Sequence, residues 1–222
     1  MFTRFLSLAW AVMAVSALQA QPRMGLLWRN MPDSLLPAYI NADKRNAMVD
    51  YYNMGETAEV MNELDGTSVM DTLTATYAKV TLSSALDMQL ALLPTAKGDT
   101  VICRVSTVSA PAKESRVEFF DLKWNRLPTT DFLDEVPAEQ LLARPDTLNE
   151  EEFRQLCSFF EPRMVYVQLA PEPSQNTESP NKNENFTLSF SLSTPLTSKY
   201  DKEKLEPIMV QRKLKWNGEK YK

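Results

Sequence analysis

Between residues 76 and 124 the sequence passes through four apolar or alternating segments, 76–82, 86–93, 99–108 and 116–124, separated only by residues 83–84, 94–98 and 110–115. A parallel crossover needs about a dozen residues or more, so connections this short predict strands that run antiparallel to their neighbours. Ahead of them, Asp65-Gly66 between Val60-Met61 and Val69-Met70 predicts a hairpin.

Helical signals flank this run. Pro32-Asp33-Ser34 followed by Leu35-Leu36-Pro37 reads as a turn with a short helical entry. Residues 42–54 predict a helix, with Asn41 as N-cap, Ala47, Met48, Tyr51 and Tyr52 on one stripe, and Gly55 at the left-handed C-terminal position. After a Pro-rich, acidic connection, Thr147-Leu148-Asn149-Glu150 reads as a capping box. The helix it opens carries Phe153, Leu156, Cys157 and Phe160 on one face and stops at Pro162. Strands are predicted at 164–169, 186–192 and 208–216, with a short helix at 200–206. The stretch 171–185 is polar and without period, and it predicts a disordered loop because it cannot bury enough apolar area to offset its ordering entropy.

Helices grouped ahead of strands give an α+β class, an antiparallel β-sheet with helices packed on one face. The organisation reads as residues 1–20, a helix-then-strands half at 21–126, a connection at 127–146, and a second helix-then-strands half at 147–222. Both halves close on the same four residues, Leu122-Lys123-Trp124-Asn125 and Leu214-Lys215-Trp216-Asn217. A match this short leaves open whether they are tandem copies.

The first residues read as an export signal. Arg4, the apolar run 5–18 and the small residue Ala20 follow the order of a cleavable secretory leader, with cleavage after Ala20. The run is shorter than the roughly 20 residues of a spanning helix, so no membrane insertion is expected after cleavage. The formal net charge is −5, or −6 without residues 1–20, which contain Arg4 and no acid. That balance argues against a nucleic-acid partner. Cys103 and Cys157 lie in apolar stretches and are expected as two free thiols.

The chain has no histidine, which removes Ser-His-Asp and Cys-His nucleophiles and histidine-ligated metals. Two cysteines cannot build a four-thiolate zinc site, and the five glycines stand singly, so no phosphate loop exists. No cofactor is expected. Asp131, Asp134 and Glu135 are the acids available to a glycosidase-like arrangement, and Ser179 with Lys182 matches a Ser-x-x-Lys spacing inside the polar loop, without a partner motif.

Three segments carry a resemblance: Met31-Pro32-Asp33-Ser34-Leu35-Leu36-Pro37, Met88-Gln89-Leu90-Ala91-Leu92-Leu93-Pro94, and residues 101–111 from Val101-Ile102-Cys103-Arg104 to Ser109-Ala110-Pro111. Through these, in this order, the chain resembles an uncharacterised family of exported proteins from Bacteroidales-type bacteria, domain of unknown function 3256. The resemblance implies a periplasmic or secreted setting and brings no activity or catalytic residue.

Two functions fit. One is a non-catalytic exported module that binds a protein or glycan partner in the cell envelope through a sheet face or edge, with Arg104, Arg116, Lys123 and Arg212 at exposed alternate positions. The other is a carboxylate-dependent hydrolase acting on polysaccharide, which needs two acids in a cleft with Trp124 or Trp216 as platforms. Finally, Asp33-Ser34-Leu35, Asp71-Thr72-Leu73, Asp99-Thr100-Val101 and Asp146-Thr147-Leu148 share the form Asp, Ser or Thr, aliphatic. Turn and N-cap chemistry explains such triplets. The resemblance adds a second reading, in which they are O-glycosylation acceptors at Ser34, Thr72 and Thr100, with Thr147 withheld by its capping duty.

Overall fold

The computed structural model describes residues 23–36, 40–109, 111–172, 185–194 and 199–222. Residues 1–20, whose pattern reads as an export signal, and residues 173–184 of the polar loop, with Ser179 and Lys182, lie outside them.

Strands dominate an α+β fold. After helices α1 (Arg23–Arg29) and α2 (Ala42–Met54), seven strands follow: β1 (Glu59–Met61), β2 (Thr67–Leu73), β3 (Tyr77–Ser83), β4 (Leu86–Pro94), β5 (Thr100–Ser109), β6 (Lys113–Phe120) and β7 (Arg126–Leu127). They form one antiparallel sheet in chain order. Helix α3 (Glu150–Cys157) leads to β8 (Val165–Pro171) and β9 (Phe186–Leu192), and helix α4 (Lys199–Leu205) leads to β10 (Arg212–Lys215). These last three strands make a second antiparallel sheet in the order β10-β9-β8.

The period of two along each strand sends side chains to two separate cores. Ala78, Val80 and Leu82 of β3 and Met88, Leu90 and Leu92 of β4 join Met24, Trp28, Met48 and Val49 of α1 and α2 on one face. Ala91 and Leu93 of β4, with Val101, Cys103 and Val105 of β5, point the other way. There they meet Val167, Leu169, Phe186, Leu188 and Phe190 of the second sheet, with Leu148, Phe153 and Leu156 packed at the margin of that core. Each fully buried large apolar side chain contributes about 1.5–3 kcal/mol, so both interfaces are hydrophobic cores in their own right.

Side chains of the large sheet also hold the edge strand β8. Gln89 donates to the Leu169 carbonyl at 2.9 Å and accepts from the Leu169 amide at 3.1 Å, as a neighbouring strand would. The Ser115 hydroxyl accepts from the Val167 amide at 2.9 Å. The free edge of β8 is therefore partly satisfied within the chain, which blunts it as a template for a foreign strand.

Several sequence boundaries shift. Strand β6 starts at Lys113, inside the stretch read as loop 110–115, and ends at Phe120. Residues Asp121 to Asn125 form a turn in which Asp121 accepts from the Lys123 and Asn125 amides and Trp124 adopts φ 65°. The last strand is only β10, because a 3₁₀ turn occupies Glu206–Ile208. Pro171, read as loop, closes β8 opposite Phe186. The 65–66 hairpin forms with a longer loop, in which the buried Asn62 side chain accepts from the Leu64 and Gly66 amides, each at 3.0 Å.

The capping box also moves. The N-cap of α3 is Asn149, whose side chain accepts from the Glu152 amide while the Glu152 carboxylate accepts from the Asn149 amide, each at 2.9 Å. With this cap, Leu148 and Phe153 occupy the two positions of a hydrophobic staple, and both pack against the same core. A cap at Thr147 would put Asp146 and Glu151 there, which cannot staple.

Candidate functional site

On the helix-side face, α1 and α2 pack chiefly over β1, β2 and β3. The register carries that face on across the sheet: Ile102 lies beside Phe120, Arg104 beside Glu118, Ser106 beside Arg116, and Val108 beside Glu114. Ile102 and Phe120 belong to the helix-side core. Beyond them the row turns polar.

Glu118 is the centre of this region. Its side chain is 6% exposed and Arg104 is 7% exposed. Arg104 donates to Glu118 Oε2 through Nε at 3.1 Å and through Nη2, and its guanidinium sits 4.8 Å from the Phe120 ring centroid. The second carboxylate oxygen lies at ion-pair distance from two more guanidinium groups, Arg126 Nη2 at 2.8 Å and Arg116 Nε at 3.4 Å, and accepts a hydrogen bond from neither. Arg126 also lies over Phe120, at 5.9 Å. One carboxylate thus faces three cations, in a chain whose formal net charge is −5.

The three arginines differ in exposure, at 7% for Arg104, 70% for Arg116 and 53% for Arg126. Arg104 is the counterion that lets Glu118 be buried, since a lone buried carboxylate costs several kcal/mol. Its Nη1 is buried with no hydrogen-bond partner. Arg116 and Arg126 present their outward faces to solvent. Beside Arg116 a shallow depression of about 500 Å³ is lined by Ser106, Val108, Glu114 and Ser115, and Val108 is 49% exposed.

The alternating pattern of the sequence predicts Arg104 and Arg116 at exposed positions. Arg116 is exposed, whereas Arg104 is buried because Glu118 stands directly across the β5–β6 ladder. Glu118 and Arg126 were missed. The available signal was the hairpin register: a strand starting at Lys113 instead of 116 puts opposite charges at 104 and 118 face to face. Lys123 lies in the turn after β6, and Arg212 is exposed on β10 beside Gln140.

The other candidates stand apart from this face. Asp131, Asp134 and Glu135 are exposed on the connection, and Asp134 pairs with Lys220 at 2.5 Å. Trp124 and Trp216 are buried and donate their indole N–H groups to the carbonyls of Leu27 and Pro94, so neither offers the platform that the hydrolase reading required. No cluster of three or more Cys, Asp or Glu side chains suited to a metal occurs among the described residues.

Cys103 and Cys157 are free thiols. Burial pushes the Cys103 thiol up to about 12 and raises the neighbouring Tyr221 hydroxyl well above its ordinary value. Both are neutral in neutral solution.

Of the Asp-Ser/Thr triplets, Ser34 is exposed in a 3₁₀ turn. Thr72 is half-buried within β2, one residue past Asp71, which accepts from the Thr81 hydroxyl at 2.8 Å. Thr100 is half-buried as the first residue of β5. Thr147 is exposed and does not cap α3, because Asn149 holds that place, so no capping duty competes for its hydroxyl. It borders a second concavity of about 540 Å³ between α3 and Pro207, lined by Leu148, Leu156, Phe159 and Leu205. The Glu152 and Gln155 side chains on its wall are already engaged by Asn149 and Glu151.

Fold and site together define a strand-rich α+β protein with an arginine cluster on an open sheet face. The chain belongs to the family described as Protein of unknown function (DUF3256), which matches residues 15–221. No curated protein matches it. A solved structure described as a domain of an uncharacterized protein from Porphyromonas gingivalis W83 shares the fold, with TM-score 0.65, 21% identity, and coverage of 90% of this chain and 98% of that one.

Proposed function

We propose that this chain is an exported, non-catalytic binding module that holds a protein or glycan partner of the cell envelope or exterior on the open end of its helix-side sheet face. The leader pattern at residues 1–20 supports a periplasmic or secreted location. The observation that carries the reading is the arginine cluster, in which two largely exposed guanidinium groups stand beside an already neutralised buried pair. A structural ion pair needs one cation for one carboxylate, and the other two leave donors facing solvent. Affinity capture from envelope extract tests it. Val108→Trp adds bulk at an exposed position of the face without changing charge. Wild type should retain a partner that this variant fails to retain, and equal retention would remove the reading.

O-glycosylation at Ser34, Thr72 and Thr100 is a separate proposal, to which the exposed Thr147 is now added. Intact mass of the protein from its native host decides it. A single species at the unmodified mass of residues 21–222 rejects modification, and a heavier species that loses mass when these residues become alanine supports it.

A further inference from the structure

We infer that Arg116 and Arg126, held beside the buried Arg104–Glu118 pair, form a receptor for an oxyanion group, a carboxylate or sulfate carried by an acidic polysaccharide. The inference rests on the reading of this face as the binding face, and it names the ligand chemistry.

Charge points to an anion. Arg104 and Glu118 neutralise each other, so Arg116 and Arg126 are two cations drawn to the same carboxylate oxygen without further compensation from it. Glu114 lies on the same face but makes no ion pair with Arg116 among the described contacts. Two guanidinium groups held close together repel each other, and an oxyanion bridging their outward N–H donors would relieve that repulsion. The Phe120 ring beneath Arg104 and Arg126 fixes where two of the guanidinium planes sit.

The rest of the face selects the carrier. A protein partner is usually anchored by apolar and aromatic side chains buried in pockets. Here Val108 is the one large apolar side chain exposed among the described residues of the face. A neutral sugar would want an exposed aromatic platform, and Trp124 is buried with its N–H bonded to Leu27. What remains is a shallow polar strip lined by Ser106, Glu114 and Arg116, with Arg126 drawn to the same Glu118 oxygen as Arg116. It suits a hydrated chain recognised by its acid groups.

The test is calorimetric titration of the mature chain, residues 21–222, at physiological ionic strength with polygalacturonate, dextran sulfate, neutral dextran and inorganic sulfate. One acidic polymer should bind, dextran should not, and raising the salt should weaken binding. The double variant Arg116→Gln/Arg126→Gln should lose at least about tenfold in affinity with an unchanged melting temperature, because both side chains are largely exposed. Replacing both by Lys should recover only part of it, since the charge returns without the planar fork. Dextran binding as tightly as the acidic polymers overturns the inference. So does a double Gln variant that keeps full affinity, or binding of inorganic sulfate alone. If Val108→Trp abolishes partner capture while the double Gln variant retains the partner, the face stands and the oxyanion receptor falls. If neither variant affects capture, both fall.

Discussion

Two buried arginines show how the same side chain serves two ends in this molecule. Arg45 of α2 donates to the carbonyls of Ile40 and Met31, at 2.9 and 2.6 Å, and pairs with Asp33 at 2.7 Å. It ties the segment before α2 to the helix, and its one charge meets one carboxylate. Arg104 meets Glu118 on the sheet, and the same carboxylate holds Arg116 and Arg126 as well. A structural arginine ends in carbonyls and a balanced pair, whereas the cluster leaves cationic donors pointing outward. Burial alone does not separate the two; the count of charges does.

Removing the carboxylate at the centre of the cluster should have the largest effect. Glu118→Gln leaves three guanidinium groups without a counterion and should cost about 3–5 kcal/mol in urea unfolding. Added sulfate should restore more stability to this variant than to wild type. Equal responses to sulfate would break the contrast between the two regions.

Arg45→Met should come next, at about 3 kcal/mol, because two carbonyl groups beside a buried side chain lose their donor. Its affinity for acidic polymer should be unchanged. Asp33→Asn should cost less than Arg45→Met, because position 33 is 63% exposed to water and the asparagine carbonyl can still accept from Arg45.

Alkaline titration probes the core between the sheets while leaving arginine charged. Burial raises Cys103 from 9.0 to about 12 in the folded state, so the fold favours the neutral thiol. That contribution is complete below about pH 9 and is lost as pH rises toward 12. Tyr221, also raised by burial, adds to the loss in the same direction. Unfolding free energy under reducing conditions should therefore fall above pH 9, and the fall should be shallower in Cys103→Ala. A flat profile would show that the thiol is not held neutral.

The smallest effect on stability is expected from Arg116→Ala and Arg126→Ala, each within about 0.5 kcal/mol because exposed ion pairs are screened. The same variants should produce the largest loss of ligand binding. A loss of stability comparable to that of Arg45→Met would place these arginines with the structural one.

Much of the fold was legible because its signals are local. Asn41 caps α2 by accepting from the Lys44 amide at 3.0 Å, and Gly55 ends it at φ 75°. The short connections enforced an antiparallel meander. Helix α1 was missed, since seven residues, Arg23–Arg29, give too little period to read, and its burial of Met24 and Trp28 comes from the sheet beneath. The box before α3 was read two residues early, because Thr147-x-x-Glu150 and Asn149-x-x-Glu152 both satisfy the cap pattern. The apolar pair Leu148 and Phe153 would have decided between them.

The strand-rich class, the antiparallel order, the absence of imidazole chemistry and the free thiols' apolar setting follow from composition or from neighbours along the chain. Tertiary structure decided which face each polar strand residue shares and with whom. Arg104, Glu118 and Arg126 are spread over three strands, and only the ladder register brings the two guanidinium groups to 3.1 and 2.8 Å from the one carboxylate. Electrostatic balance depends on distance in space, which sequence separation does not encode.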